Sequence, residues 1–289
     1  MPEQSQRPHW VRGGLATLVT LGLLGGLIWR LDKRVVDVIV DDVRWGWIAL
    51  AAVLGPLQIC LAAERWRLAS VALDAPISRW GAIREYALST LVNQLLPSGI
   101  AGDAARVLRQ RHHGLGKATR AAVVDRGLGQ VSLAVYAGAG LLLWPGRPPG
   151  TMLLAGGVFI GLIVVALAAR ETVRRAVLPH LLSHTLLSGL LTGTFLAGFW
   201  CCGRALGLTD TTWLWSATPL MLLAMSLPLS WGGWGPRELS AAALFPAFGM
   251  SPEAGVVIAA LYGLSVLLGA LPAVILPLLP PSPQPEPAP

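Results

Sequence analysis

Apolar and polar positions along this chain fall into long blocks. Residues 13–29, 45–63, 121–144, 151–169, 181–202 and 254–279 are nearly continuous apolar runs. Each approaches or exceeds the ~20 residues that an α-helix needs to cross a hydrocarbon core. Two further apolar segments, 85–96 and 213–227, run into interruptions. The first meets Pro97-Ser98-Gly99, breaks again at Gly102, and then places Asp103 and Arg106 close to one helical turn apart. The second continues through Pro228, Ser230, Gly233 and Gly235 into Arg237-Glu238, and an apolar stretch, 239–248, climbs away from it. A broken helix in a membrane frees backbone N–H and C=O groups, at several kcal/mol each unless protein or cavity water satisfies them. Such interruptions are usually kept where something binds or passes.

The block pattern predicts an all-α polytopic membrane protein. With the N-terminus in the cytoplasm, inside loops hold about 14 Lys/Arg against about 6 Asp/Glu, and outside loops hold about 6 of each, the positive-inside bias. The flanks of the first interruption are then both cytoplasmic and those of the second both external. The expected architecture is about six full transmembrane helices plus two oppositely facing re-entrant helical hairpins, arranged as an inverted repeat around a midplane site. The alternative is that each interrupted segment spans fully, giving eight or more helices. A single domain covers 1–279, and 280–289 (PPSPQPEPAP) reads as an extended, unpacked cytoplasmic tail. Residues 1–29 resemble the n- and h-regions of a signal peptide. No small-residue cleavage site precedes Arg30, Lys33 and Arg34, so the expectation is a retained helix, with Gly22 and Gly26 on a packing face.

Composition sharpens the class. The 289 residues are 54% hydrophobic and 13% charged, where a soluble domain carries roughly 25% charge. The net charge of +7 sits in short loops between apolar runs, so it reports topology, and no nucleic-acid motif accompanies it. The three cysteines fall in apolar segments without metal or redox spacing. The search for chemistry returns little: no HExxH, no GxSxG, and no complete Walker A, since Arg111 and Ala118 occupy required positions around Gly114-Leu115-Gly116-Lys117. His180 and His184 share a helical spacing but have no nearby carboxylate, and His112-His113 reads as a solvated pair. No metal, cofactor or catalytic residue is expected, and transport would be passive or ion-coupled.

The ionisable residues inside apolar segments need a reason, because each costs about 2.5 to 3.5 kcal/mol at mid-membrane depth. They are Glu85, Asp125, Arg126, Arg237 and Glu238, with Asp103 and Arg106 close by. One reading is a polar cavity in which Arg106, Arg126 and Arg237 attract an anionic headgroup while Asp103, Asp125 and Glu238 hold those arginines. Arginine suits this role because its planar fork grips phosphate with two hydrogen bonds. The other reading is a set of ion pairs that fix the helix bundle. Adjacent helical residues point about 100° apart, so Asp125-Arg126 and Arg237-Glu238 should each need partners from other segments. The Asn93-Gln94 amides could cap the broken backbone or face a ligand.

Taken together, Asn93, Leu96-Pro97, Gly99, Gly102-Asp103 and Arg106, then Asp125-Arg126, then Leu227-Pro228, Ser230, Gly233, Gly235 and Arg237-Glu238 resemble the lysylphosphatidylglycerol synthase transmembrane (flippase-like) family. The resemblance runs from about residue 49 to 279. It implies a membrane domain that moves lipids between leaflets, with those residues as the headgroup path. Some relatives add a cytosolic synthetase domain, and a stand-alone member without it is expected here. Asp125 stands where the family usually has glutamate, and Pro236 where it more often has an aliphatic residue.

The function expected is therefore a lipid translocase in a bacterial inner membrane, both termini cytoplasmic, a transporter and not an enzyme. Its partners would be membrane lipids: an anionic phospholipid, a glycolipid or a polyprenyl-lipid. A second copy of the chain or a lipid-modifying enzyme are candidate protein partners. The competing readings are a non-catalytic subunit docking a glycosyltransferase, and an intramembrane lipid-phosphate enzyme using Asp103 or Asp125.

Overall fold

A computed structural model describes residues 43–95, 101–144, 151–168, 170–225 and 236–276. The expected first span, the proline-rich tail, and Pro97, Gly99, Ser230, Gly233 and Gly235 lie outside them. Among the described residues the chain is helical and without strands. It forms α1 (Trp45–Ala72), α2 (Arg79–Leu95), α3 (Ala101–Arg109), α4 (Leu115–Leu143), α5 (Thr151–Ala168), α6 (Arg170–Ala176), α7 (Leu181–Ala205), α8 (Leu214–Met225), α9 (Pro236–Leu244) and α10 (Pro252–Ala270).

Helix α1 overruns its expected end at residue 63. The charged run from Glu64 to Arg67 looked like an interfacial stop, yet the helix continues to Ala72 and closes at Asp74, whose φ is 55°. The physical reason is that these charges are satisfied in place: Arg67 donates to Glu64 at 2.7 and 2.8 Å, and Arg65 turns inward. Helix α4 likewise starts six residues before the expected 121, and α9 starts at Pro236, where a missing N–H costs nothing in a first turn. Pro272, just past α10, ends the last long helix earlier than the expected 279.

Helix α1 is the centre of the bundle. It lies antiparallel to α7: Arg44 N–H donates to the Ala205 carbonyl (2.9 Å), Trp47 meets Trp200 edge-on at 5.3 Å, and Arg65 reaches Ser188. Against α10 it packs glycine on glycine. A Cβ at Gly55 would lie 2.7 Å from Gly269 Cα, and one at Gly269 would lie 2.6 Å from the Ala52 carbonyl oxygen. Side-chain-free faces of this kind let helix backbones touch where there is no hydrophobic drive from water.

The helix neighbours show a regularity. Helices α1 to α4 contact one another in the order α1–α2, α2–α3, α3–α4 and α1–α4. Helices α7 to α10 repeat it as α7–α8, α8–α9, α9–α10 and α7–α10. Between the sets, α1–α10 is matched by α7–α4, and α4–α8 by α10–α2. Helices α5 and α6 link the two sets.

Among the described residues, three helical stretches, Trp45–Ala72, Arg170–Ala205 and Pro252–Val274, are long and apolar enough to cross a membrane. Large apolar side chains face outward: Val53 and Leu57 on α1, and Leu153, Ile160 and Leu167 on α5. Such an apolar exterior suits lipid and not water, and the chain is an integral membrane protein.

Candidate functional site

The first interruption folds α2 against α3. The Asn93 side-chain carbonyl accepts the Gly102 backbone N–H at 2.7 Å, satisfying a donor in the first turn of α3. Asn93 thus performs the capping role, one of the two open at the sequence level. The approach is close enough to require glycine: a Cβ at Gly102 would stand 2.0 Å from the Ser89 carbonyl oxygen. Ser89 Oγ donates to Asp103 Oδ1 at 3.1 Å, fixing the carboxylate at the start of α3.

Two aspartates then organise four helices. Asp103 accepts Arg126 Nε at 2.7 Å, with Nη2 also on the same oxygen, and lies 3.2 Å from Arg106 Nη2. Asp125, 1% exposed, accepts Arg65 Nε (2.8 Å), Tyr86 Oη (3.2 Å) and Arg106 Nη2 (3.3 Å). Adjacent residues Asp125 and Arg126 therefore find partners on other segments, as the 100° argument required. Arg65 donates onward to Ser188 Oγ at 3.2 Å, tying α7 into the network.

Arg106 does not take the place expected of it. It is fully buried, with its guanidinium 4.3 Å from the Trp66 ring centroid and 4.5 Å from that of Tyr86. Its Nε and Nη1 have no hydrogen-bond partner, so ring faces replace them. It stands behind the cavity as a brace, where an anion-lining arginine had been expected. Glu85 is also elsewhere: it pairs with Arg109, a partly exposed residue near the end of α3.

At the second interruption, α8 contacts α9. Arg237, in the first turn of α9, is fully buried and donates to its neighbour Glu238 at 2.9 Å through Nε. The two neighbours pair with each other, and Arg237 also faces Tyr262 on α10, so the dipeptide is not self-contained. The 100° separation applies to the Cβ directions, and two long side chains can swing to meet. The Arg237 guanidinium faces the Tyr262 ring at 5.9 Å and lies in a slot opened by Gly263, where a Cβ would be 2.2 Å from Nη2.

A cavity of about 300 Å³ lies between these parts. Of the expected residues, Asn93, Gln94, Asp103, Asp125, Arg126 and Arg237 line it, and Glu238 accepts a hydrogen bond from Arg237. The unexpected polar lining includes Arg65, Gln58, Thr90 and Gln130. Arg65 was legible in one respect. Ala51, Gly55, Gln58, Ala62, Arg65 and Ala69 are all buried and recur at alternating spacings of four and three, the stripe of one helix face. A charge on a stripe of small residues signals an inward charge, and reading Glu64 to Arg67 as a helix end hid it.

Both interruptions and the charged cavity coincide with one family. The model of the lysylphosphatidylglycerol synthase TM region matches residues 14–273. The chain belongs to this family. No curated protein and no solved structure matches it. In this member of the lysylphosphatidylglycerol synthase TM family, the matched region takes in both interruptions and every described residue that lines the cavity.

Proposed function

We propose that the protein is a lipid translocase that carries an anionic headgroup between leaflets through this cavity while the acyl tails stay in the bilayer. The carrying observation is a cavity lined by three arginines and two aspartates inside an otherwise apolar helical bundle, between two interrupted helix pairs. A bare phosphate is excluded from hydrocarbon by its lost hydration, and a charged groove replaces that hydration. The aspartates are engaged by several donors each, which suits holding arginines in place.

The helix arrangement supports an inverted repeat with two re-entrant pairs. Helices α1–α4 and α7–α10 have matching neighbours, and α1 and α7, which the repeat would exchange, are antiparallel. A two-fold axis along the membrane normal would leave them parallel, whereas one in the membrane plane reverses them. In this reading the basic ends of α3 and α6 and the start of α4 face the cytoplasm of a bacterial inner membrane, as do both termini.

The test is leaflet exchange of fluorescent anionic lipids in proteoliposomes. Arg126→Ala and Arg237→Ala, each monodisperse in detergent, are expected to lower exchange at least tenfold, the loss of about one charge-assisted hydrogen bond. Wild-type exchange in both variants would refute the headgroup path.

A further inference from the structure

Outside the cavity, one end of the bundle carries cations that no described carboxylate neutralises. A short helical turn, Arg111–His113, follows α3 and leads into α4. Gly114 N–H donates to the Arg111 carbonyl at 2.9 Å and Lys117 N–H to the Gly114 carbonyl at 3.1 Å, so Arg111 is set beside the first turns of α4. Several basic residues around this corner are paired: Arg79 with Glu64 at 3.9 Å, Arg109 with Glu85, and Lys117 with Asp74 at 3.8 Å. The guanidinium groups of Arg111 and Arg120, both exposed residues, have no ion pair or hydrogen bond among the described residues. The basic helix α6 differs, since Arg174 and Arg175 both reach Glu171, at 3.5 and 2.7 Å.

Beyond these cations the same face of α4 turns apolar. Arg120, Val123, Gly127 and Val131 recur at spacings of three and four, and all are exposed, Val123 at 64% and Val131 at 45%. Nothing lies within 4 Å of the place where a Cβ of Gly127 would stand, which leaves a shallow dent midway along the stripe. From Arg120 to Val131 the stripe runs about 16 Å, close to one leaflet of a ~30 Å hydrocarbon core. Helical side chains lean toward the N-terminus of their helix, and Arg120 does so: a Cβ at Gly116 would be 3.9 Å from its Nη2. The charge thus lies back from the apolar stretch, toward the cationic corner. None of these residues lines the cavity. A soluble anion would make no use of the apolar continuation, whereas a phospholipid has both parts.

We infer that this outer face of α4 holds an anionic phospholipid of the adjoining leaflet, its phosphate at Arg111 and Arg120 and one chain along Val123, Gly127 and Val131. Surface arginines draw anionic lipid, and chain contact with the valines adds apolar burial. A zwitterionic lipid carries its own ammonium to the same cations and is held more weakly. The lipid is a boundary lipid of the bundle, separate from any cargo of the cavity, and the inference does not rest on the translocase reading.

The experiment attaches bimane to a Val123→Cys variant of the full chain in a Cys60→Ser background. In bilayers, its quenching by phosphatidylglycerol with a nitroxide on the chain is compared with quenching by the matching phosphatidylcholine. Phosphatidylglycerol is expected to reach half-maximal quenching at about one-tenth of the lipid fraction that phosphatidylcholine needs, the effect of two surface arginines. The same label on Val53→Cys, exposed on α1 and about 30 Å along that helix from the Asp74–Lys117 contact, should show no preference. Arg111→Gln with Arg120→Gln should abolish the preference at Val123, and Arg120→Gln alone should lower it about threefold. Both arginines are exposed, so the fold should tolerate the changes. Equal quenching by the two lipids at Val123 overturns the inference, as does an equal preference at Val53 or a preference that survives loss of both arginines. Inorganic phosphate, matched in ionic strength with chloride, should leave the preference in place. Its loss in phosphate alone would assign the cations to a soluble anion and overturn the lipid site.

Discussion

Substituting Asp125 by asparagine removes the one charge that Arg65 and Arg106 share. The carboxylate is 1% exposed and takes donors at 2.8, 3.2 and 3.3 Å. Asparagine keeps the shape but turns one acceptor into an NH2 group aimed at a guanidinium. Removing one partner of a buried ion pair costs roughly 3 to 5 kcal/mol, because the remaining charge stays buried and uncompensated. Arg106 retains Asp103 at 3.2 Å, so most of the loss falls on Arg65. For a chain of this size, the apparent melting temperature should drop by roughly 10 °C. The assay is heating of the detergent-solubilised protein, followed by the fraction that remains monodisperse. The double variant Asp125→Asn with Arg65→Gln removes the stranded charge and should recover at least half of that loss. A single variant that melts with wild type, or a double variant whose losses simply add, would show that the Arg65–Asp125 pair does not hold α1 to α4.

Gly102→Ala drives a methyl to 2.0 Å from the Ser89 carbonyl oxygen, a backbone atom that cannot swing aside. It should cost about 1 to 3 kcal/mol and loosen the α2–α3 pair, read as faster proteolysis near the interruption; unchanged proteolysis and melting would contradict the packing. Gly263→Ala meets the mobile end of Arg237 instead, at 2.2 Å. That variant should fold normally yet lose lipid exchange about tenfold, and full exchange would show that the slot does not position Arg237. Cysteines placed at Ser78 and at the exposed Thr209, in a Cys60→Ser background, should react with a membrane-impermeant thiol reagent from opposite sides. Their positions near opposite ends of the antiparallel α1–α7 pair require it, and labelling of both from one side would refute the orientation.

Local features were readable from the chain. Pro97, Gly99 and the cluster from Pro228 to Gly235 announce interruptions because proline and glycine act on their own backbone. The long spans are visible because a bilayer demands length and apolarity from each helix separately. Asp103, Asp125, Arg126 and Arg237 stood out because a charge in an apolar run is costly wherever it later packs. What failed were inferences about places and ends. Arg65 was taken for part of a helix terminus and Arg106 for a cavity residue.

Sequence alone thus determined the class of this protein, its interruptions and the inventory of charges that its interior must accommodate. Only the tertiary structure decided which charge meets which: Arg65 finds Asp125 across 60 positions of chain, Arg106 is withdrawn between Trp66 and Tyr86, and Arg237 enters a slot that Gly263 leaves open. The division has a physical cause. Helix formation and membrane insertion depend on residues within a turn or a span of one another. Neutralising a charge across helices, as Asp125 does for Arg65, depends on distances between helices that small-residue contacts such as Gly55 on Gly269 help to set.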